Sequence, residues 1–362
     1  MKKEAARFID TVTRYKSILI YIPGSPDPDA IASAYAIKRI LEHQGIKADI
    51  FAGQKLSLPQ NQAFLDQLQI PVALDEKFNP HEYEAYIVPD FQNNRIEKIS
   101  DVLPCAAHID HHEKSEDAVQ ADFSLIRTDA GATSTLLALL LKNLDLDLPE
   151  PDRISTATAL VFGIQTDTDT YTHITRLDIE ALHYLSEHAD RSLLKGLNSI
   201  PPSPDMLMLY RKMKENEIVY KDWGFYGLGY IDAATRDYIA LAADMILEKS
   251  GHNTVAVYAV IENSGKEEMY LDVSLRTKSR TVDLNRIIKQ ITPEGGGRRY
   301  KGAYQVKLNY FRHTPEKDLL WQVVEATTIE ILRKRRDHIY RTGMESIYGA
   351  IKDKISTLFN KD

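Results

Sequence analysis

Apolar runs that stop abruptly at aspartate recur through the first half of the chain, and the stretch SILIYIPGSPDPDAIASAYAIKRI, residues 17–40, sets the pattern. Ile18-Leu19-Ile20-Tyr21-Ile22 is apolar without alternation, as expected of a parallel strand buried on both faces. Pro23, Gly24, Pro26 and Pro28 end the strand and argue against an immediate helix. Ile31, Ala34, Tyr35, Ile37 and Leu41 then recur at helical spacing. Asp27 and Asp29 therefore fall on a loop between a strand's carboxyl end and a helix, where open α/β sheets bind ligands. An N-cap at Asp29 with a turn residue at Asp27 accounts for the pair. So does a divalent cation, which needs several oxygen ligands converging from short side chains.

The pattern repeats. Lys47–Phe51 reads as a short strand, NQAFLDQLQIP as a helix and turn, and Tyr83–Val88 as a strand ending at Pro89-Asp90. Val102–Ile109 reads as a further strand running into Asp110-His111-His112. Histidine is a common transition-metal ligand, and its second nitrogen needs an orienting carboxylate. Ala132–Leu144 is an apolar helix that Thr128 or Asp129 would cap, with Gly131 and the following amides placed to face a phosphate. Ile154–Ile164 reads as a buried helix that opens into Gln165-Thr166-Asp167-Thr168-Asp169-Thr170. Such polar groups at the end of a buried element need partners, and a metal would be one. Asp178–Arg191 reads as a helix closing this domain.

Leu197–Pro204, LNSIPPSP, has the composition of a linker. A helix is expected over Pro204–Tyr220, then a strand over 225–231, a helix over Tyr238–Leu247, and strands over Thr254–Ile261 and Met269–Leu275 joined through Glu262-Asn263-Ser264-Gly265 as a hairpin. A short helix over Val282–Ile288, the stretch Gly295–Gly302 and a strand over Tyr304–Leu308 follow. From Leu319 onward the chain reads as helix, with a basic run at Arg333-Lys334-Arg335-Arg336 that suits a solvated face, a dimer helix or, less directly, nucleic acid. The domains expected are residues 1–195, a linker and helix over 196–220, a second domain over 221–325 and a helical extension over 326–362.

Composition narrows the class. The 362 residues suffice for two domains with their own cores. The 43% hydrophobic and 27% charged content excludes disordered and fibrous chains. A single cysteine, Cys105, rules out an internal disulfide and fits a reducing, cytoplasmic setting. No apolar run reaches the roughly 20 residues of a membrane span, and MKKEAARFIDTVTRYK reads as an amphipathic helix, not a signal peptide. With a net charge of −7, any nucleic acid would be met at a local site.

Four acidic or histidine clusters now stand at the ends of successive elements. In order and chemistry they resemble the DHH phosphoesterase superfamily: PDPDAIASA its first motif, the aspartate of YIVPD its second, IDHHEKS its third and FGIQTDTDTY its fourth. The second domain resembles the DHH-associated domain, whose glycine-rich signature GGGRRYKGAY echoes. The resemblance, which extends to nanoRNase, pAp-phosphatase and RecJ-like members, implies an α/β fold: a parallel-sheet domain, a smaller α/β substrate-binding domain, and a cleft between them. It implies two manganese ions, with Asp90 and Asp167 bridging them, Asp29 and His111 completing one, and Asp27 serving the other. Asp110 and His112 would be catalytic, His112 facing the scissile phosphate. Ser274, Arg276, Gly296, Gly297, Arg298, Arg299 and Lys301 would hold substrate, glycine by letting backbone amides approach and arginine by its bidentate fork.

Two positions depart from the family pattern. Pro23 stands where relatives usually carry a histidine, four residues before Asp27, so the second metal site would be all-oxygen, weaker or suited to magnesium. Arg298 stands where relatives carry a substrate-contacting histidine, and Lys301 where they carry a small residue; the added charge suits a more heavily charged phosphate. The activity expected is hydrolysis of short oligoribonucleotides, pAp-like nucleotides or cyclic dinucleotides. The alternatives are a pyrophosphatase or exopolyphosphatase of the same superfamily, and a catalytically impaired nucleotide-binding protein. The expected partners are a small nucleotide or short single strand, no membrane, and a second copy through the C-terminal helix.

Overall fold

The structure, a computed structural model, describes residues 1–359 except 25, 57, 93–95, 97–98, 114–118, 202 and 264–267, with backbone alone at 234, 263 and 341–359. Outside the described residues lie Ser25 of the first loop, Lys114 and Ser115 of the third motif, Pro202 of the linker and the Ser264-Gly265 end of the hairpin link. The chain divides into two compact units, Met1–Pro201 and Pro202–Asp362.

In the first unit the strands are β1 (Ser17–Ile22), β2 (Lys47–Ala52), β3 (Val72–Leu74), β4 (Ala85–Pro89), β5 (Cys105–Asp110) and β6 (Phe123–Ile126). Among the described residues they form one parallel sheet in the order β3-β2-β1-β4-β5-β6. Strand order reverses between β1 and β4, which is the switch point where such sheets open a crevice at their carboxyl ends. Both faces of β1 are buried, as its unbroken apolar run requires. Ile18, Ile20 and Ile22 enter one core with the helices, while Leu19 and Tyr21 enter another with Tyr83, Tyr86, Val88 and Leu103. Each of these fully buried side chains contributes about 1.5–3 kcal/mol. β3 and β6 are additions to the expected set; the first is three residues long and the second half exposed, so neither leaves a clear pattern.

The helices of this unit are α1 (Lys2–Val12), α2 (Pro28–His43), α3 (Pro59–Leu68), α4 (Thr133–Leu144), α5 (Glu150–Asp167), α6 (Arg176–Leu185) and α7 (Arg191–Asn198). Pro28 does not delay α2: it occupies the first turn, where its missing N–H costs nothing. The helix expected over Asp178–Arg191 is two helices. Asp178 completes a capping box with Thr175 inside α6, and Asp190 starts α7 by accepting from the amides of Ser192 and Leu193.

The second unit contains α8 (Pro204–Glu215), β7 (Glu217–Tyr220), β8 (Trp223–Asp232), α9 (Tyr238–Lys249), β9 (Thr254–Asn263), β10 (Glu268–Thr277), α10 (Leu284–Lys289), β11 (Gly296–Gly297), β12 (Lys301–Lys307) and α11 (Lys317–Phe359). Its sheet runs β11-β12-β10-β9-β8-β7, with β8 and β9 parallel and the other pairs antiparallel. The helix expected over Pro204–Tyr220 ends at Glu215. Glu217–Tyr220 turns back on β8 instead, through Lys221 in the left-handed region at φ 56°. The basic run on α11 is not simply a solvated face. Arg336 is buried and pairs with Asp222 at 2.6 Å, and Arg335 donates to the Gln290 carbonyl at 2.7 Å. No described helix is long and apolar enough to cross a membrane.

Candidate metal centre

The carboxyl ends of β1, β4 and β5 meet the start of α4 and the end of α5 here. Asp27 is the N-cap of α2, accepting from the Ala30 amide at 2.8 Å. Asp29 lies one residue into the helix and is fully buried. The cap expected at Asp29 is thus Asp27, and Asp29 falls inside the first turn, because Pro28 lets α2 begin early. Asp90 follows β4 at φ 55°, a left-handed backbone that aspartate tolerates better than most residues. Asp110 is the last residue of β5, and Asp167 the last of α5.

His111 is the point of convergence. Its Nε2 lies 2.9 Å from Asp167 Oδ2, 3.5 Å from Asp90 Oδ1 and 4.0 Å from Asp29 Oδ2. Its Nδ1 is 3.3 Å from the Ala130 carbonyl. A carbonyl only accepts, so Nδ1–H donates to it, which makes Nε2 the nitrogen that a cation among the carboxylates would meet.

Asp29 is held by a helix start. The amides of Thr133 and Ser134 donate to its two oxygens, each at 2.7 Å. Thr128 and Asp129 do not cap α4, whose N-cap, Ala132, has no side chain to serve as one; Asp129 pairs with Arg127 at 2.6 Å. The amides after Gly131 do face an anion, but it is the chain's own Asp29, and Gly131 itself donates to Asp178 at 2.9 Å. The Thr133 hydroxyl donates to Asp90 at 2.9 Å, so one turn of α4 aligns two of the aspartates. Close approach by α5 depends on Gly163: a Cβ there would lie 2.4 Å from Ser134 Oγ and 3.2 Å from Asp29 Cα.

The electrostatics follow from crowding. Burial, then repulsion from Asp167, pushes Asp29 up to about 6. Burial, then the charges of Asp29 and Asp27, raises Asp90 well above the usual carboxylate range. Asp167 adds its charge at the negative end of the α5 dipole.

Asp110 goes the other way. Burial opposes its charge, yet the His108 ring, 3.8 Å away, and the hydrogen bonds from His112 hold it well below the usual range. Its Oδ1 accepts the amides of His111 at 2.6 Å and His112 at 2.9 Å and lies 2.8 Å from His112 Nδ1, while its Oδ2 accepts from Gln92 at 2.8 Å. The His112 side chain remains 41% exposed, so with Nδ1 committed to Asp110 its Nε2 edge is the one free to work. His108 is fully buried, its Nε2 2.7 Å from the Phe91 carbonyl. The side-chain roles of Gln92, His108 and Thr133 were not anticipated: His108 sits inside an apolar strand, and Gln92 and Thr133 sit in short polar stretches, QNN and TST, that have no spacing to mark them.

The donors fit a divalent cation. Asp29, His111 and Asp167 form one group whose ligand atoms lie within 4.8 Å of one another, and Asp90, Asp110, His111 and His112 form another. In the second group Asp110 and His112 are already engaged with each other. One buried carboxylate, Asp29, and two partly buried ones, Asp90 and Asp167, around one imidazole nitrogen are therefore the part that a cation would relieve. Asp27 is in neither group, its carboxylate being used as a cap.

The expected substrate residues lie in the second unit. Ser274 is buried on β10, and Arg276 is bound by Asp244 in two hydrogen bonds, its Nη2 at 3.2 Å from Asp244 Oδ2. Arg276 thus serves first as an internal ion pair. Gly296 and Gly297 are not an open ligand loop but a strand paired with Ala303 and Gly302. Gly297 sits at φ 150°, and a Cβ there would lie 2.4 Å from Gly302 Cα. Arg298 donates to the Tyr300 hydroxyl at 3.2 Å, and Arg299 to the Arg280 carbonyl. Lys301 opens β12.

Residues 17–164 match the DHH family, N-terminal domain. An uncharacterized protein of Methanocaldococcus jannaschii is 31% identical over 330 residues, covering 90% of this chain and 65% of its own length; the chain thus spans just under two thirds of that curated relative. The crystal structure of an exopolyphosphatase-related protein from Bacteroides fragilis superimposes with a TM-score of 0.68 at 18% identity, over 94% of this chain and 98% of that one; at that identity the likeness concerns the fold. Three of the four motifs stand at the carboxyl ends of β1, β4 and β5, around the switch point, and the fourth at the end of α5; it is over residues 17–164, which carry the first three, that the chain matches the DHH family's N-terminal domain.

Proposed function

We propose that this chain is a divalent-metal-dependent hydrolase of phosphoester bonds in small nucleotides. The observation that carries the reading is the convergence of Asp29, Asp90 and Asp167 on the Nε2 edge of His111. These four residues would hold the metal. Manganese suits the mixed carboxylate and imidazole set, and magnesium is the harder alternative. When bound, the metal supplies activation of a water nucleophile and charge neutralisation at the phosphate.

The chain's own groups do the rest. Asp110, kept ionised, orients the His112 ring through Nδ1. The exposed edge of His112 then donates a proton or hydrogen bond to the departing oxygen. Gln92 fixes the far side of Asp110. The backbone amides of α4 hold Asp29 in place. In the second unit Arg298, Arg299 and Lys301 are the candidate phosphate donors, and their charge favours short oligoribonucleotides, pAp-like nucleotides or cyclic dinucleotides.

The test is product analysis by chromatography after incubation with manganese and a panel: pApA, longer oligoribonucleotides, 3′-phosphoadenosine 5′-phosphate, cyclic di-AMP, pyrophosphate and polyphosphate. Cleavage of one nucleotide, lost in Asp90→Asn and His111→Ala, is the expected result. Turnover of pyrophosphate or polyphosphate alone would move the assignment to those substrates. Binding without any turnover would make this a nucleotide-binding protein, with Pro23 as the departure to examine first.

A further inference from the structure

We propose that α11 carries a two-fold surface through which two copies of this chain pair antiparallel. One side of the helix is anchored in its own unit: Val324, Thr328, Ile329 and Leu332 are buried. The other side presents Leu319, Val323 and Ile331, which are 57%, 56% and 37% exposed, with Thr327 completing the same ridge at every fourth position. That ridge borders a groove of about 440 Å³ whose far wall includes Val306 and Phe311. Scattered exposed apolar residues are ordinary, but a contiguous apolar groove on an anchored helix marks a docking surface.

The charges at its ends select the occupant. Glu316 lines the groove at the N-terminal end. Lys334, 75% exposed, stands at the other end, about five helical turns away. A two-fold axis opposite residue 325 sets Glu316 against Lys334 of the second copy, Leu319 against Ile331, and Val323 against Thr327. The surface is therefore complementary to itself in the antiparallel sense, as an isologous dimer requires. The intrahelical partner of Lys334, Glu330, is 3.6 Å away and 53% exposed, a contact weak enough to yield to a better one.

Light scattering on the full chain across a dilution series tests this. The expected mass is twice the chain's 41.1 kDa, falling to the single-chain mass in Val323→Glu with thermal unfolding unchanged. Lys334→Glu should weaken the dimer roughly tenfold, and Glu316→Lys combined with Lys334→Glu should restore it. Both charge changes lie at exposed positions, so they decide the matter even if Val323→Glu misfolds. A wild-type monomer at every concentration overturns the proposal and leaves the groove to a partner of different sequence. A dimer indifferent to all three variants, or one that the charge swap does not restore, overturns it too.

Discussion

Asp90 follows β4 and Asp110 ends the neighbouring β5; their side chains are 7% and 0% exposed, and their carboxyl groups are pushed in opposite directions. Around Asp90 the neighbours are other acids, the Thr133 hydroxyl and the His111 and His112 rings, and burial with like charge prevails and favours the protonated form. Around Asp110 they are two amides, a carboxamide and two imidazoles, so the ionised form is already solvated by the protein. Burial alone decides neither case; the donors that accompany it do. One end of the crevice is left short of positive charge, and the other is a finished hydrogen-bond network. The first is suited to hold a cation, the second to hold a histidine.

Breaking the first half should have the largest effect. Asp90→Asn or His111→Ala should abolish manganese binding and lower kcat/KM by at least about a thousandfold, the scale of several kcal/mol of charge stabilisation. Steady-state kinetics beside equilibrium dialysis measures both. Breaking the second half should separate binding from chemistry. His112→Ala should lower kcat by about a hundredfold or more while manganese affinity changes by less than about tenfold. Equal losses of both would place His112 among the ligands.

The pH dependence of stability sharpens the same comparison. Asp29 titrates near 6 in the folded metal-free chain against an ordinary 3.8. Its folded value is raised, so its stabilising contribution is present below about pH 4 and is lost as pH rises through about 6. The shift corresponds to about 3 kcal/mol. Asp110 has the opposite sign: its contribution is present above the ordinary carboxylate range and is lost as pH falls below it. Calorimetry in chelator should show melting temperature falling between pH 4 and 7, with manganese or Asp29→Asn flattening that decline. A smaller effect is expected from Gly163→Ala. Alanine normally favours a helix interior, but here its methyl group meets Ser134 and the Asp29 backbone, so a loss of about 1–3 kcal/mol in denaturant unfolding should follow.

How much of this was legible in the sequence varied with the kind of signal. The unbroken run Ile18–Ile22 specified a strand buried on both faces, and the aspartates after three such runs marked the carboxyl edge of the sheet. Which aspartate did what was less visible. Pro28 reads as a helix breaker, yet in the first turn it is compatible with a helix, and that two-residue shift makes Asp27 the cap and leaves Asp29 inside the helix. The amides opening α4 were expected to meet an anion, and the residue pattern carries no sign that the anion lies more than a hundred positions earlier. The left-handed backbone at Asp90 is likewise silent, since aspartate adopts it at modest cost. The glycine-rich stretch was read as a loop, and part of it is the short strand β11. Gly297 and Gly302 are small because two strands approach closely there, a requirement that looks the same in sequence as a loop built to cradle a ligand.

The most direct test of the metal centre is calorimetric titration of the metal-free chain with manganese near pH 6, repeated in buffers of different ionisation enthalpy. If Asp29 and Asp90 are held partly protonated by crowding, binding must release protons, the heat must vary with buffer, and Asp90→Asn must remove both the binding and the proton release. Manganese binding that releases no proton, or that survives Asp90→Asn unchanged, would contradict the account.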